Sequence, residues 1–362
     1  MKRSRVEEAP ILLPNEVWHL IFLFLADDWR LLTLPSVCRH WAKIIGEETR
    51  ALTLKHKSLS LDCVPRLTSL TLYSPVRWIK GLASLTSLTS LSLTSFVQDK
   101  SDHDWHLLTS LTNLTELRCS GEYRLPDAYH LNSLYLVGNT SVTDREMQCF
   151  TALRALSLSR CPYITSDYLK SASQLRDLSL SKQKLQDEDL APLTQVESLL
   201  IHDNGMRLTG ECFARLTNLQ QLAVLQGLRD MRADSLLSLH QLTRLSVIGY
   251  MSQEMHTLLP KSLRFLRLRA TNIRSIAAPI HLLCLPELQS LDVTCLTISK
   301  ELFCQLPKLS ALITEVVNID KNVRLDDLQK LTRLSVSNRE YSMPLCDDVL
   351  LSLQKRHNLL IT

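Results

Sequence analysis

The 362-residue sequence carries a formal net charge of +4, with 45% hydrophobic and 22% charged residues, which is typical of a soluble, folded protein. Such a weak positive charge argues against a dedicated nucleic-acid-binding protein. Ten cysteines, none of them in a C-x-x-C pair, argue against a dense disulfide framework and favour reduced thiols in a cytoplasmic or nuclear protein.

The first predicted element is an apolar helix near the start of the chain. Trp18 and Phe22 form one apolar stripe, and a second stripe has the spacing of a buried helix face: Val17, Leu20, Ile21, Phe24 and Leu25. The run is much shorter than the ~20 apolar residues of a membrane span. Acidic flanks and the lack of a small-residue cleavage site argue against a signal peptide. We expect the long stripe to pack on the following helices and the other to meet the rest of the chain or a partner protein.

Three short motifs occur in order between residues 11 and 50. They read Leu13-Pro14-x-Glu16-Val17, then Ile21-Phe22-x-x-Leu25, then Val37-Cys38-Arg39-x-Trp41. Together they resemble the F-box, whose pattern opens with L-P-x-E, continues with an I-F-x-x-L helix and closes with V-C-x-x-W. The resemblance implies a three-helix unit that binds a Skp-type adaptor and, through it, a cullin–RING module. The adaptor contacts that it implies are Leu13, Pro14, Ile21, Phe22, Leu25, Val37, Cys38 and Trp41.

Some residues of this segment have a second interpretation. Ile21 and Leu25 could equally belong to the F-box core, whereas Pro14 and Phe22 are better placed for contact with the adaptor. Pro35 lies inside the second helical stretch, and we expect the helix to break there because proline lacks the N–H that a helix interior needs.

The rest of the chain repeats one pattern, L-x-x-L-x-L, at intervals of about 22 residues, which is the signature of leucine-rich repeats. Copies begin at residues 67, 88, 114, 131, 153, 175, 196, 219, 242, 263, 288, 309 and 331, with an imperfect one at 49. The L-x-L core predicts a short strand whose two apolar side chains point to one side. One repeat cannot bury that side alone, so stacked repeats must share a core.

The predicted fold is therefore α/β, with a short helical F-box followed by a curved leucine-rich-repeat solenoid, or horseshoe, whose parallel sheet forms the concave face. We expect a flexible N-terminus over 1–10, the F-box over 11–50 and about 13–14 repeats over 51–362. The segment after the last copy is predicted to cap the array. The polar stretch 96–108 reads as a solvated insertion or a contact loop.

Local signals predict how single repeats turn back. Thr143-x-x-Glu146 has the spacing of a helix capping box. Asn139, Cys161 and Asn204 each stand eight residues after the start of a copy, where the resemblance to leucine-rich repeats implies that they satisfy backbone groups at the bend. A further group of cysteines is expected in the repeat core: Cys284, Cys295 and Cys304.

The sequence contains no catalytic signature. Phosphate-binding, dinucleotide-binding, zinc-protease and nucleophile-elbow motifs are absent. His103 and His106 form H-x-x-H without a further ligand nearby in the sequence. We therefore predict no catalytic residue, no metal site and no cofactor.

The predicted function is substrate recognition for a Skp–cullin–F-box type ubiquitin ligase, with a protein target on the concave repeat surface. Alternatives are a binding scaffold or ligand sensor outside ubiquitination, and an F-box decoy that sequesters the adaptor. We expect a cytoplasmic or nuclear protein that is monomeric outside its complex and binds neither nucleic acid nor membrane.

The target site is predicted from the residues two, four and six after each leading leucine, which should face solvent. In the first copies these residues are small and polar. From the copy at 196 they form an apolar patch with arginines at its far edge: Leu200, His202, Leu225, Arg244, Ile248, Phe265, Arg267 and Arg269. An acidic or phosphorylated target would suit the arginines. The alternative is that returning loops or the C-terminal tail cover the apolar side chains.

Overall fold

The structure is a computed structural model that describes residues 14, 17–18, 20–21, 39–54, 61–62, 64–73, 81–94, 110–122, 125, 130–205, 208–226, 233–249, 259–270, 285–298, 300–319 and 331–336. The chain divides into two compact units, Met1–Val142 and Thr143–Thr362. The predicted break at Pro35, the stretch 96–108, the H-x-x-H pair and the capping tail lie outside the described residues.

The first unit contains a helix followed by parallel strands. Two residues separate helix α1 (Arg39–Glu48) from the first strand. The strands are β1 (Ala51–Leu54), β2 (Ser69–Leu72), β3 (Ser90–Leu93), β4 (Glu116–Ser120) and β5 (Ser133–Val137). Each pairs in parallel with the next strand along the chain.

The second unit continues the same pattern with short helices between strands. Its helices are α2 (Asp144–Met147), α3 (Ser166–Ser171), α4 (Asp187–Leu190) and α5 (Lys300–Gln305). Its strands are β6 (Ala155–Ser159), β7 (Asp177–Ser181), β8 (Ser198–His202), β9 (Gln221–Leu225), β10 (Arg244–Gly249), β11 (Phe265–Ala270), β12 (Ser290–Ile298), β13 (Ala311–Ile319) and β14 (Arg333–Val336). Neighbours in this order pair in parallel.

Every copy of the repeat pattern carries a strand, so the predicted fold class is confirmed. In the first regular copy Leu67, Leu70 and Leu72 are fully buried, while Ser69 and Thr71 between them are half-exposed. This alternation follows from the two-residue period of a strand, and burial of each leucine side chain contributes about 1.5–3 kcal/mol. One difference is length, since β12 and β13 each extend over nine residues instead of a short core.

Main-chain hydrogen bonds join each repeat to the one before it within each unit. The carbonyl oxygen of Thr68 accepts from the N–H groups of Thr89 and Ser90, at 2.9 and 3.0 Å. The Thr89 hydroxyl donates to the same carbonyl oxygen at 3.0 Å. The Gln220 carbonyl is used in the same way in the second unit. These bonds, together with the shared leucine core, make each repeat depend on its neighbours for stability.

A row of left-handed residues follows the strands of successive repeats. The φ angles are 67°, 55°, 56°, 51° and 57° at Gly138, Arg160, Lys182, Asp203 and Gln226. This conformation suits glycine, and other residues lose roughly 1–2 kcal/mol by adopting it. In return the turn directs main-chain N–H groups at the next repeat, as at Lys182, which donates to the His202 carbonyl at 2.9 Å.

The capping box predicted at Thr143 is confirmed. Thr143 donates its N–H to Glu146 Oε2 at 2.9 Å and accepts at its side-chain oxygen from the Glu146 N–H, and these are the two reciprocal bonds of a capping box. At the next helix Thr165 accepts at its side-chain oxygen from the Asp167 N–H at 3.2 Å. The local sequence spacing was sufficient to place the start of α2.

Polar side chains at the bends also satisfy backbone groups as expected. Asn139 Oδ1 accepts from the N–H groups of Ser141 and Val142, both at 2.9 Å. Asn204 is bonded through its amide to both the N–H and the carbonyl of Leu185 in the preceding repeat. Cys161 Sγ lies 3.5 Å from the Ser159 carbonyl oxygen.

Two features of the interior differ from the sequence-based expectation. Gln183 is buried at the same repeat position as Asn139 and Asn204, although it was not recognised as part of that row. Cys304 was expected in the core, but its side chain is exposed because α5 turns it outward. The side chains of Cys284 and Cys295 lie outside the described residues.

Candidate functional site

The apolar N-terminal segment begins a helix at the predicted place. The main-chain N–H groups of Val17 and Trp18 both donate to the Pro14 carbonyl, at 3.0 and 3.2 Å. Proline suits the first turn because its missing N–H has no partner there in any helix. Pro14 itself is exposed.

The described residues of this segment differ from the expected burial pattern. Val17, Leu20 and Ile21 were expected to form the buried stripe, yet they are 36%, 57% and 40% exposed. Trp18, from the stripe expected to meet a partner, is half-buried, and its ring centroid lies 5.0 Å from that of Trp41. The large indole face therefore packs against α1, which leaves the aliphatic face open.

The predicted adaptor contacts are only partly visible. Pro14 and Ile21 are exposed, and Trp41 is half-buried against Trp18. The remaining predicted contacts lie outside the described residues: Leu13, Phe22, Leu25, Val37 and Cys38. The segment thus presents an exposed apolar surface, defined here as Val17, Leu20 and Ile21, and called the aliphatic face.

The second candidate site lies on strands β8 to β11. Parallel register places Leu225 beside His202 on one side and Ile248 on the other. Ile248 in turn lies beside Arg269, and Arg244 lies beside Phe265. All these side chains remain partly or fully exposed, as does Leu200. The structure therefore brings together all eight residues predicted for the target site on one side of the sheet.

Aromatic and charged groups contact each other at the far edge of this surface. The guanidinium carbons of Arg244 and Arg267 each lie 5.9 Å from the Phe265 ring centroid. Contacts of this kind between a cation and an aromatic ring contribute about 0.5–1 kcal/mol at exposed sites. Two positive charges therefore lie near the same aromatic ring.

Asp292 was missed by the sequence-based analysis. It lies on β12 beside Arg267 in the sheet register, and it is fully buried. Its Oδ2 accepts from Arg267 Nε at 2.6 Å, and its Oδ1 accepts from Arg269 Nε at 2.9 Å. The available signal was its position four residues after the leading leucine of its copy, in the row that also holds Arg267. Two of the three arginines predicted to meet a target are thus already paired within the chain.

Other chemistry is sparse in the part of the chain that the structure describes. Its His, Cys, Asp and Glu side chains form no group of three or more that could hold a metal ion. None of its helices has the length and apolarity needed to cross a membrane. Burial raises the pKa of the Cys119 thiol, and burial together with Asp187 raises that of Cys212, so neither is a ready nucleophile.

Comparison with known proteins supplies the identity of the first segment. Residues 11–50 match the F-box-like family. The chain combines an F-box-like segment with leucine-rich repeats. No curated protein matches this F-box-like repeat protein in sequence.

Solved structures resemble it in fold. An internalin from Listeria monocytogenes is 19% identical, with a TM-score of 0.53 over 83% of this chain and 89% of that one. A leucine-rich-repeat protein from Leptospira interrogans is also 19% identical, with a TM-score of 0.52 over 87% and 96% of the two chains. At such low identity the likeness shows the fold alone. The F-box-like segment and the leucine-rich-repeat fold together support a protein-interaction adaptor, since both kinds of module are typically non-catalytic.

Proposed function

We propose that the chain is the substrate-recognition subunit of a Skp–cullin–F-box type ubiquitin ligase. The observation that carries this proposal is the F-box-like match at residues 11–50, followed directly by a repeat array with an open sheet surface. The chain would contribute binding, and the cullin–RING module would bring the conjugating enzyme. Holding a target beside that enzyme raises its effective concentration, which is sufficient to promote transfer.

The adaptor would bind the N-terminal segment. The aliphatic face offers exposed apolar area whose burial on binding is worth about 25 cal/mol per Å². The contacts implied by the F-box resemblance other than Trp41, together with Leu20, would form this interface. Trp41 would act indirectly, because its ring is engaged with Trp18 and so orients the first helix.

The target would bind the sheet surface of the second unit. The half-buried residues Leu200, Leu225 and Ile248 supply apolar contact, and Arg244 and Phe265 supply the residue types that dominate interface energies. A ligase of this kind would act in the cytoplasm or the nucleus.

The test is copurification of the full chain with a recombinant Skp-type adaptor and a cullin–RING module. Leu20→Glu with Ile21→Glu should abolish adaptor binding, because charges would replace the exposed aliphatic side chains. Leu237→Glu is the matched control, since Leu237 is 49% exposed directly after the 3-10 turn Ala233–Leu236 of the repeats, and it should leave binding unchanged. Leu13→Ala with Pro14→Ala should also abolish binding while circular dichroism stays that of the folded chain.

The outcomes separate the alternatives. A chain that recruits both adaptor and cullin is a ligase subunit. Binding of the adaptor with exclusion of the cullin would identify a decoy. A folded chain that ignores the adaptor would overturn the proposal and leave a scaffold or sensor.

A further inference from the structure

Asp292 occupies an unusual place for a carboxylate. It belongs to the row of side chains that alternate with the buried leucines of β12, between fully buried Leu291 and Val293. Residues of this row are half-exposed in neighbouring strands, as at Ser246 and Arg267. Asp292 is nevertheless fully buried. Its ion pairs with Arg267 and Arg269 offset the cost of burying that charge.

The carboxylate takes one arginine on each oxygen. Arg267 uses its Nε at 2.6 Å, and Arg269 uses Nε and Nη2, each at 2.9 Å. The Nη groups of Arg267 form no hydrogen bond with any residue that the structure describes, and the side chain is 39% exposed. Two guanidiniums held side by side would repel each other, and the carboxylate between them removes that repulsion. Asp292 therefore fixes their orientation and leaves N–H groups of Arg267 directed at solvent.

Further groups beside this pair complete a binding surface. Arg244 is exposed, and its guanidinium, like that of Arg267, lies 5.9 Å from the Phe265 ring centroid. Three guanidiniums and one carboxylate leave a surplus of two positive charges. Leu225 and Ile248 extend the surface with half-buried apolar side chains in register with Arg269.

We propose that this surface binds an anionic segment of a protein partner, in which a carboxylate or phosphate meets Arg244 and Arg267 and a neighbouring apolar residue packs on Ile248 and Phe265. Asp292 is the positioning residue that keeps the arginines ready. The inference deepens the proposed function, because it gives the chemistry of the target. Charge complementarity and the fork geometry of guanidinium support an anionic occupant.

The test measures peptide retention on the immobilised full chain. Three degenerate peptide pools share random flanking positions and differ in one fixed central residue, which is phosphoserine, glutamate or glutamine. Retention of an anionic pool should exceed that of the glutamine pool by about tenfold, since each charge-assisted hydrogen bond is worth more than a neutral one. Preference for phosphoserine alone would identify phosphate as the ligand group, and equal preference for glutamate would identify carboxylate. Equal retention of all three pools would overturn the proposal.

Variants separate positioning from simple electrostatics. Asp292→Asn removes a negative charge, so a purely electrostatic role predicts stronger binding of anionic pools. The positioning role predicts weaker binding, by about tenfold, and an increase would overturn it. Asp177→Asn is the matched control, because Asp177 is an exposed carboxylate in β7 on the same side of the sheet as Asp292. This substitution should leave peptide retention unchanged. Arg267→Gln keeps Asp292 paired with Arg269 and should also lose the anionic preference, which covers the case in which Asp292→Asn does not fold.

This assay does not involve the adaptor. Failure of peptide retention in a chain that still recruits adaptor and cullin would reject the anionic target and keep the ligase. Peptide retention by a chain that does not bind the adaptor would keep the anionic target and reject the ligase.

Discussion

The indole rings of Trp18 and Trp41 lie 5.0 Å apart with their planes tilted by 54°. They join the N-terminal helical segment to α1, while the aliphatic face remains exposed. We expect a double-mutant cycle of Trp18→Leu and Trp41→Leu to give a coupling of about 0.5–1.5 kcal/mol in the free energy of unfolding, because tilted aromatic pairs contribute this much beyond area burial. Trp18→Leu combined with Tyr73→Leu, at an exposed tyrosine of the same unit, should give no coupling.

The Arg267–Asp292–Arg269 cluster should respond unequally to loss of its members. Arg267→Leu with Arg269→Leu leaves a buried carboxylate without a partner, and we expect a loss of about 3–5 kcal/mol. Asp292→Asn leaves two arginines that can reach water, so the expected loss is about 1–3 kcal/mol. Denaturant titration measures both. A larger loss in Asp292→Asn than in the double variant would contradict this account of the cluster.

The Asp187 carboxylate should make stability depend on pH. Burial raises the pKa of Asp187. Hydrogen bonds from the N–H groups of Thr209 and Cys212, at 2.8 and 3.0 Å, together lower it by more than burial raises it, so the net shift of the pKa is downward. A lowered folded-state pKa gives stability that is present above the unfolded value of about 3.9 and is lost as pH falls through the folded value.

Asp187→Asn should therefore cost about 0.5–1.5 kcal/mol near pH 7, a figure reduced for partial exposure, and the difference from the unaltered chain should shrink below about pH 4. Asp167→Asn is the control, because that side chain is 86% exposed. Its effect should be smaller at every pH. A constant difference between pH 7 and pH 3 for Asp187→Asn would exclude the proposed linkage.

Substitutions at Lys182 test how much stability the left-handed residues after the strands cost the folded chain. The φ of Lys182 is 56°, and its ion pair with Asp203 at 3.5 Å is exposed and worth little. We expect Lys182→Gly to raise the free energy of unfolding by about 0.5 kcal/mol and Lys182→Val to lower it by about 1–2 kcal/mol. Lys184→Gly, at an exposed position outside that row, should be destabilising by about 0.5–1 kcal/mol. Thermal unfolding of the three variants gives the comparison.

Cysteine alkylation should follow burial. Cys149 and Cys304 are exposed, whereas Cys119, Cys161 and Cys212 are buried. Burial raises the pKa of the Cys119 thiol, so little reactive thiolate is present at pH 8. Iodoacetamide should modify Cys149 and Cys304 in the folded chain and reach the buried three only after denaturation, as read by peptide mass spectrometry. Equal rates at Cys119 and Cys149 would contradict the described packing.

The fold was predictable where its causes are local. Leu70 and Leu72 alternate with Ser69 and Thr71 within one strand, and the capping box needs only four adjacent residues, so both could be read from spacing. The orientation of the first helix was not readable in this way. Both of its stripes are apolar, and only the position of Trp41 decides which one is covered.

Asp292 was missed for a similar reason. Its partner Arg267 lies 25 positions earlier in the chain, in another repeat. The repeat periodicity places both residues in the same row, but it does not predict that a carboxylate in that row will be buried. The three arginines therefore looked equally available in the sequence, although two of them are engaged.

The paired hydrogen bonds on single carbonyl oxygens, such as that of Thr68, make the two edges of each strand complementary to those of its neighbours. A duplicated repeat inserted between two existing ones would meet matching donors and acceptors on both sides. The binding surface could then grow or shrink in evolution by one strand at a time, in steps of about 4.8 Å. New partners could be acquired in this way without any change in the segment proposed to bind the adaptor.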